Sequence, residues 1–251
     1  MCTTSWAATT DGYVLWFNRD ERRERPPARP PRVWRGAGTP FVAPVDGLAG
    51  GTWLAVNARG VTVCLLNLYL GPPAAWPPAP DRPRPPSRGH LVADLAALPD
   101  VASIMSALPP ERAAVFAPFT LVALDPRGRP TRADWDGARL QWRRGADVDP
   151  FVSSSGFDPD RVLEARAAAF GRAHAAARDG DARDWREDFQ RGHDPARGPL
   201  SVCMHRPEAR TVSLSQVTVG AASVALRYGE GPACGAVLGP PVALARARDA
   251  A

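Results

Sequence analysis

The sequence predicts an α+β fold made of two antiparallel sheets with helices outside them. β-type segments occupy both ends of the 251-residue chain, and the longest helical patterns occupy its middle. Asp11-Gly12 lies between the first two β-type segments and is a strong hairpin signal, and hairpins join antiparallel strands. The chain holds 28 prolines and 22 glycines, so many of its loops are expected to be stiff and irregular.

Two hairpins are expected in the first third of the chain. The first pairs residues 2–8 with 13–18, which makes the chain start a neighbour of the second strand. The second pairs residues 52–56 with 60–68, and its turn uses Gly60, which can adopt a positive φ.

The middle of the chain is predicted to be helical, with strands before and after it. The longest helix is expected over 159–177, with Asp158 as N-cap, Pro159 at the first position and Gly180 beyond the end. Further helices are expected over 90–98, 101–108 and 182–191, and further strands over 115–124, 140–143, 151–154, 200–205, 211–217 and 222–228.

Two Pro-rich segments, 25–44 and 71–86, are predicted to be loops. The second is GPPAAWPPAPDRPRPP, which cannot form a helix or a central strand. We favour an exposed polyproline II loop there over a PxxP ligand for an aromatic groove, because proline runs are frequent throughout this chain.

Composition excludes several classes of protein. The 31 basic residues are all arginines, exceed the 26 acidic residues by five, and are interspersed with them, so no nucleic-acid partner is expected. No apolar run approaches the roughly 20 residues of a membrane span, and the first residues do not resemble a signal peptide. We therefore expect a cytoplasmic protein with reduced thiols.

The cysteines and histidines show no metal-binding spacing. CxxC and HExxH are both absent from the sequence, so no metal is expected. Three of the four cysteines, Cys64, Cys203 and Cys234, are predicted to be unbridged, small core residues.

Cys2 is the exception, because it follows the initiator methionine directly. Removal of Met1 would leave a thiol nucleophile and a free α-amine on one residue, and an α-amine has a pKa near 7.7 to 8.0 and can serve as the base. Cysteine is also a common small core residue, so this position alone does not establish catalysis.

A charged segment ends the strand beside Cys2. The guanidinium of Arg19 would favour the thiolate, and Asp20 could orient the α-amine. Because side chains alternate along a strand, both can face Cys2 only if the strand bulges or ends there. A solvated run of charges is the alternative, since charged residues continue to Arg25.

These residues resemble the NRDE family, also called the transport and Golgi organisation 2 family. The resemblance rests on Met1-Cys2, Asn18-Arg19-Asp20-Glu21 with Arg25-Pro26, Gly50-Gly51-Thr52-Trp53-Leu54 and Arg59-Gly60. It continues more weakly at Arg88-Gly89, Phe119-Thr120-Leu121 and Arg210-Thr211.

The resemblance implies a single domain over residues 1–251 with the αββα sandwich of N-terminal nucleophile hydrolases, similar to the choloylglycine hydrolase and penicillin V acylase group. It also implies that Cys2 is the nucleophile, that Arg19 and Asp20 are its partners, and that Asn67 donates to the oxyanion. Asn67 could instead be a turn residue. Whether Asn18 or Arg19 faces the thiol stays open, because the acylases have the order Arg-Asn.

Two more site residues are implied less directly. Related proteins carry an asparagine where this chain has Ser153-Ser154-Ser155, and we select Ser154 as the second oxyanion donor, with a backbone N–H as the alternative. Arg210 matches an arginine that the acylases place near the nucleophile, although an exposed arginine at a strand edge is equally consistent.

The leading hypothesis is a cofactor-independent cysteine hydrolase that cleaves a linear, non-peptide amide of a small acyl molecule. The alternative is a non-catalytic carrier of haem or an acyl lipid on the same fold, since the family has been associated with haem trafficking and lipid metabolism. Axial haem ligands would have to come from four scattered histidines without a CxxCH motif, namely His90, His174, His193 and His205.

Overall fold

The structure, a computed structural model, describes residues 2–69, 85–177 and 184–247. The strands are β1 (Cys2–Thr9), β2 (Gly12–Arg22), β3 (Arg29–Trp34), β4 (Phe41–Val45), β5 (Leu54–Asn57), β6 (Thr62–Asn67), β7 (Phe119–Leu124), β8 (Pro130–Trp135), β9 (Leu140–Arg144), β10 (Phe151–Ser154), β11 (Ala209–Val219), β12 (Ser223–Glu230) and β13 (Val242–Ala245). The α-helices are α1 (Arg88–Ala96), α2 (Val101–Ala107), α3 (Pro110–Ala113), α4 (Pro159–Ala176) and α5 (Trp185–Arg191).

The strands form two antiparallel sheets. One has six strands in the order β10-β1-β2-β11-β12-β13, and the other has seven in the order β3-β4-β5-β6-β7-β8-β9. The seven-stranded sheet follows chain order, whereas the first hairpin, β1–β2, is flanked by strands from the second half of the chain. The N-terminal strand therefore lies inside its sheet, between β2 and β10.

The faces of the two sheets pack on each other around a shared apolar core. Leu15 and Phe17 of β2 meet Leu54 and Val56 of β5, and all four side chains are fully buried. Alternation along each strand directs these residues inward and the intervening residues outward. Cys2 belongs to this inner core, so the inner face carries the candidate nucleophile.

Helices cover the outer face of each sheet. Leu91 and Leu95 of α1 pack with Leu121 of β7 on the seven-stranded sheet. On the other sheet, Phe189 of α5 packs in a cluster with Phe170 of α4. The result is the predicted order of layers, helix–sheet–sheet–helix.

Several predicted elements differ from those observed. The segment 200–205 is not a strand, because its backbone bends and only His205 forms an isolated bridge, to Arg210. Strands β3 and β4 occupy the segment 25–44, which we predicted to be a loop; β3 is an edge strand, where its prolines need no partner for a missing N–H. Strands β8 and β13 and the short helix α3 had no counterpart in the prediction.

The helix boundaries were predicted more closely. Helix α4 begins at Pro159 after Asp158, although the Asp158 side chain makes no capping hydrogen bond. Gly180, the start of the helix predicted at 182, and residues 71–84 of the second Pro-rich segment lie outside the described residues. In the described ranges, no helix combines the length and the apolar character needed to cross a bilayer.

Candidate active site

Cys2 lies at the start of β1, between two neighbouring strands. It is opposite Arg19 of β2 on one side and Ser154 of β10 on the other. The backbone nitrogen of Cys2 donates to Ser154 Oγ at 3.1 Å. Strand register therefore fixes both polar neighbours of this residue.

The end of β2 divides its charged side chains between the two faces of the sheet. Arg19 shares the inner face with Cys2, whereas Asn18 points outward and its Nδ2 donates to the backbone oxygens of Gln190 and Val202. The question left open by the sequence is thus answered: Arg19, not Asn18, faces the side of the thiol.

The side chain of Asp20 lies in a buried network on the outer face. Thr211 Oγ1 donates to Asp20 Oδ1 at 2.6 Å, and Arg166 Nη2 of α4 lies 3.4 Å from Oδ2. Arg166 also donates to Thr3 Oγ1 and Ser153 Oγ, at 2.7 and 3.0 Å. This network joins α4 to the strands that hold Cys2.

Arg19 is surrounded by acidic and aromatic side chains. Its guanidinium pairs with Asp46, lies 3.7 Å from Glu21, and stacks 4.0 Å from the centre of the Trp53 ring. Arg25 forms a bidentate salt bridge with Asp46, with one nitrogen 2.9 Å from each carboxylate oxygen. The charge of Arg19 is therefore largely compensated.

The carboxyl of Asp46 is held in its ionised form. Burial alone would raise the pKa of Asp46, but the hydrogen bond from Arg25, a backbone N–H from Ala49 and the charge of Arg19 outweigh it and lower that pKa to about 2. The turn that follows β4 is thereby fixed against the end of β2.

A cleft of about 520 Å³ opens above Cys2. Asn67, at the end of β6, lines the same cleft, and its Nδ2 donates to Tyr69 Oη at 3.1 Å. Trp53 is the one tryptophan of the described residues that borders this cleft. Other residues with atoms that line the cleft are Arg19, Asp20, Glu21, Arg25, Asp46, Thr52 and Arg88.

Several opposing influences act on the Cys2 thiol. Burial raises the pKa of the Cys2 thiol, and so does the charge of Asp20; a hydrogen bond from the Asp20 backbone N–H and, to a smaller extent, the charge of Arg19 lower that pKa but do not offset burial. Two acidic groups beside Arg19 explain why its effect is small.

Ser154 contacts Cys2 directly, whereas Arg210 lines a neighbouring cavity. Ser154 Oγ accepts from the Cys2 nitrogen, so it faces the main chain of Cys2. Arg210 lies opposite Glu21 in β11 and lines a neighbouring cavity of about 450 Å³, which shares Arg19 and Glu21 with the Cys2 cleft. Arg210 thus borders the charged wall of the site, and it does not line the Cys2 cleft.

All four cysteines are free, as predicted, but Cys234 is exposed rather than part of the core. Cys203 and Cys234 lie with His193 and His205 in a cluster that the sequence prediction missed. Pairwise motifs could not find it, because its members come from separate loops. The only local signal is Cys203-Met204-His205, which has the short spacing of a pair of ligands.

A family model described as Transport and Golgi organisation 2 matches residues 1–137, more than half of the chain. The chain belongs to this family. The match includes β1 to β8 and therefore Cys2, Arg19, Asp20 and Asn67. No curated protein matches the sequence significantly.

Solved structures relate this member of the Transport and Golgi organisation 2 family to acylases of the N-terminal nucleophile fold. Penicillin V acylase from Agrobacterium tumefaciens has a TM-score of 0.55 and 10% identity, covering 92% of this chain and 83% of its own. The Caenorhabditis elegans orthologue of N-acylethanolamine-hydrolyzing acid amidase has a TM-score of 0.54 and 12% identity, covering 88% and 93%.

A variant of conjugated bile acid hydrolase from Clostridium perfringens is similar to the same degree, with a TM-score of 0.54, 12% identity and coverage of 91% and 89%. At such identities the similarity concerns the fold. It confirms the predicted arrangement of two antiparallel sheets between helical layers.

Proposed function

We propose that this protein is an N-terminal nucleophile cysteine hydrolase that cleaves a linear, non-peptide amide. The observation that carries the proposal is the position of Cys2, which begins an internal strand and lines a cleft with Asn67 and Arg19. A cysteine that served only the core would not need to line a cleft with polar and charged side chains.

Activation begins with removal of Met1, which converts the Cys2 nitrogen into a free α-amine. Ser154 Oγ lies 3.1 Å from this nitrogen, and a hydroxyl can accept from the amine while donating elsewhere. We assign Ser154 to the orientation of the amine, which is a positioning role, instead of the oxyanion contact expected from the sequence. The amine then supplies the base that the buried thiol requires.

The reaction has two halves. The Cys2 thiol gives its proton to the α-amine while the sulfur attacks the amide carbon, and the tetrahedral intermediate collapses as the C–N bond breaks. The leaving amine takes the proton from the α-ammonium and departs, which leaves a thioester. Water then attacks the thioester, gives one proton to the α-amine, and releases the carboxylic acid; the sulfur recovers the proton as a thiol.

Asn67 is proposed as a donor to the oxyanion. Its side chain lines the same cleft as Cys2, and its Nδ2 donates one N–H to Tyr69 Oη, which leaves a second N–H for the oxyanion. A donor preorganised in this way stabilises the developing charge by about 3 to 4 kcal/mol. The second donor is a backbone N–H, the alternative that the sequence left open.

Arg19 and Asp20 are proposed as positioning residues. Arg19 fixes the wall of the cleft through Asp46 and Trp53, and Asp20 places its backbone N–H on the Cys2 sulfur while its side chain anchors the strand to Arg166. Arg210 borders the neighbouring cavity and is assigned to the far end of the substrate.

We propose the substrate class from the volume of the cleft and from the substrates named for the structural neighbours. Penicillin V, conjugated bile acids and N-acylethanolamines are named as the substrates of the structural neighbours, and this favours an N-acyl amide. A cavity of about 520 Å³ suits a small molecule.

Two measurements test the proposal. The intact mass of the native protein should correspond to a chain that begins at Cys2; retention of Met1 would eliminate the proposed base. A panel of N-acyl amides should then be hydrolysed by the wild type and by Cys64→Ala, which lacks another buried thiol, but not by Cys2→Ser. A protein that binds haem or acyl lipid equally well with and without Cys2, and hydrolyses nothing in the panel, would be a carrier.

A further inference from the structure

Four potential metal ligands converge outside the Cys2 cleft. The Nε2 atoms of His193 and His205 are 3.1 Å apart, and His205 Nε2 lies 3.4 Å from Cys203 Sγ and 3.7 Å from Cys234 Sγ. All four ligand atoms lie within 4.8 Å of one another. None of these residues takes part in the proposed hydrolysis.

The three distances from His205 Nε2 are close to those of a tetrahedral zinc site. Zinc–nitrogen bonds of about 2.0 Å and zinc–sulfur bonds of about 2.3 Å place two nitrogens about 3.3 Å apart and a nitrogen and a sulfur about 3.6 Å apart. A hydrogen bond between the imidazoles would explain the contact of His193 with His205. It would not explain two sulfurs at coordination spacing from the same His205 nitrogen.

The backbone holds the ligands in place from both sides. Gly192, which caps α5, accepts from the Cys203 nitrogen at 3.0 Å, and His205 bridges to Arg210 at the start of β11. Cys234 comes from the turn between β12 and β13, and its nitrogen donates to Cys203 Sγ at 3.3 Å. This contact holds the two cysteine-bearing segments together.

Charge and exposure also fit a structural metal. Two thiolates and two neutral imidazoles neutralise a divalent ion, and soft sulfur with nitrogen selects zinc over calcium or magnesium. Arg197 Nη2 lies 3.5 Å from His205 Nδ1, which carries the proton when Nε2 coordinates, so this guanidinium would have to turn away. Cys234 is exposed, so an ion can enter from solvent.

We propose that His193, Cys203, His205 and Cys234 form a structural zinc site. Four protein ligands close the coordination sphere, as in structural sites, so the ion would take no part in catalysis. It would clamp the loop after α5 to the turn after β12. That loop includes Met204, whose backbone nitrogen donates to Thr211 Oγ1, the hydroxyl that holds Asp20.

Metal analysis of the full chain tests the site. After reduction, loading with zinc and dialysis, the wild type should hold one zinc ion per chain. Cys234→Ser and His193→Ala should bind zinc at least about 100-fold more weakly, because loss of an outer-sphere partner alone costs 10- to 100-fold. Cys64→Ala, which removes a thiol outside the cluster, should bind zinc like the wild type. Cys234 is exposed, so its replacement should not unfold the protein.

Cobalt identifies the ligands. Loading with Co²⁺ should give the intense visible bands of a tetrahedral site and a thiolate-to-cobalt charge-transfer band, and this band should lose about half its intensity in Cys234→Ser, which keeps one of two thiolates. Equal zinc content in the wild type and both ligand variants would overturn the proposal. A Cys203–Cys234 disulfide in protein purified without oxygen, or cobalt bands without charge transfer, would overturn it as well.

Discussion

Cys2 and Cys203 are both buried thiols, but the chain surrounds them in different ways. The polar neighbours of Cys2 come from strand register, which sets Arg19 and Ser154 directly opposite it. The neighbours of Cys203 come from loops, one after α5 and one after β12. The first centre, around Cys2, places its thiol beside amide and hydroxyl groups. The second centre, formed by His193, Cys203, His205 and Cys234, surrounds the Cys203 thiol with nitrogen and sulfur atoms.

This difference separates two kinds of thiol chemistry. A lone thiol at the floor of a cleft can attack a substrate, and its neighbours orient a base and an oxyanion. A thiol whose sulfur lies within 4.8 Å of the ligand atoms of two imidazoles and another thiol is placed to bind a metal. Changes that affect one centre and spare the other therefore test the comparison.

The largest expected effect is the loss of turnover in Cys2→Ala. Removal of the nucleophile should lower the rate of amide hydrolysis by at least about a thousandfold, since other nucleophile deletions have comparable or larger effects. The zinc content of this variant should stay at the wild-type level. Parallel assays of turnover and bound zinc on one preparation measure both, and loss of zinc in Cys2→Ala would show that the two centres are not separate.

Asp20→Asn should destabilise the fold strongly. The carboxylate lies beside Arg166, and both side chains are almost fully buried, so the change leaves a buried cation uncompensated at a cost of about 3 to 5 kcal/mol. Denaturant unfolding at pH 7 measures the loss. Asp94→Asn breaks an exposed pair with Arg112 and should cost less than about 1 kcal/mol; equal losses would contradict the assigned role of Asp20.

Asn67→Ala should lower kcat by about 100-fold or more, with little effect on KM, because it removes a donor that acts mainly in the transition state. Asn67→Asp is the matched control for size, and it should be at least as slow because a carboxylate cannot donate. Steady-state kinetics on one amide substrate measure kcat and KM for both variants. Unchanged kcat in both variants would remove Asn67 from the mechanism.

Asp46→Asn should cost about 2 kcal/mol of stability at pH 7, because the pKa of Asp46 is lowered from 3.8 to about 2 in the folded protein. A lowered carboxyl pKa stabilises the fold above the unfolded value near 3.8, and this contribution is lost as the pH falls toward 2. The difference from wild type in chemical denaturation should therefore shrink between pH 5 and pH 2. A difference that is constant with pH would contradict the ionic role of Asp46.

The sequence predicted that Cys2 and Arg19 are neighbours because the geometry that joins them is local. A hairpin marked by Asp11-Gly12 brings the end of β2 beside the first residue, so Arg19 and Cys2 meet through register alone. Alternation also explains why the two charged neighbours, Arg19 and Asp20, divide between the faces. The sequence could not indicate Asp46, whose effect on Arg19 depends on a turn brought in from the other sheet.

The second centre was missed because its geometry is not local. His193 and Cys234 are brought together by the packing of two loops, and no spacing rule describes that. The segment 200–205, which we predicted to be a strand, differs for the same reason. It makes side-chain contacts and an isolated bridge instead of a ladder of backbone hydrogen bonds. Proline in β3 misled the prediction in another way, since edge strands tolerate a missing N–H.

The central claim is that Cys2 forms a covalent acyl-enzyme through an N-terminal thiol, and trapping that species tests it most directly. The protein is mixed with an N-acyl amide that it hydrolyses, quenched in acid within one turnover, and mapped by peptide mass spectrometry. The account predicts an N-terminal peptide that begins at Cys2 and carries one acyl group as a thioester, absent from Cys2→Ala. Hydrolysis that proceeds with Cys2 unmodified, or with Met1 still attached, would contradict it.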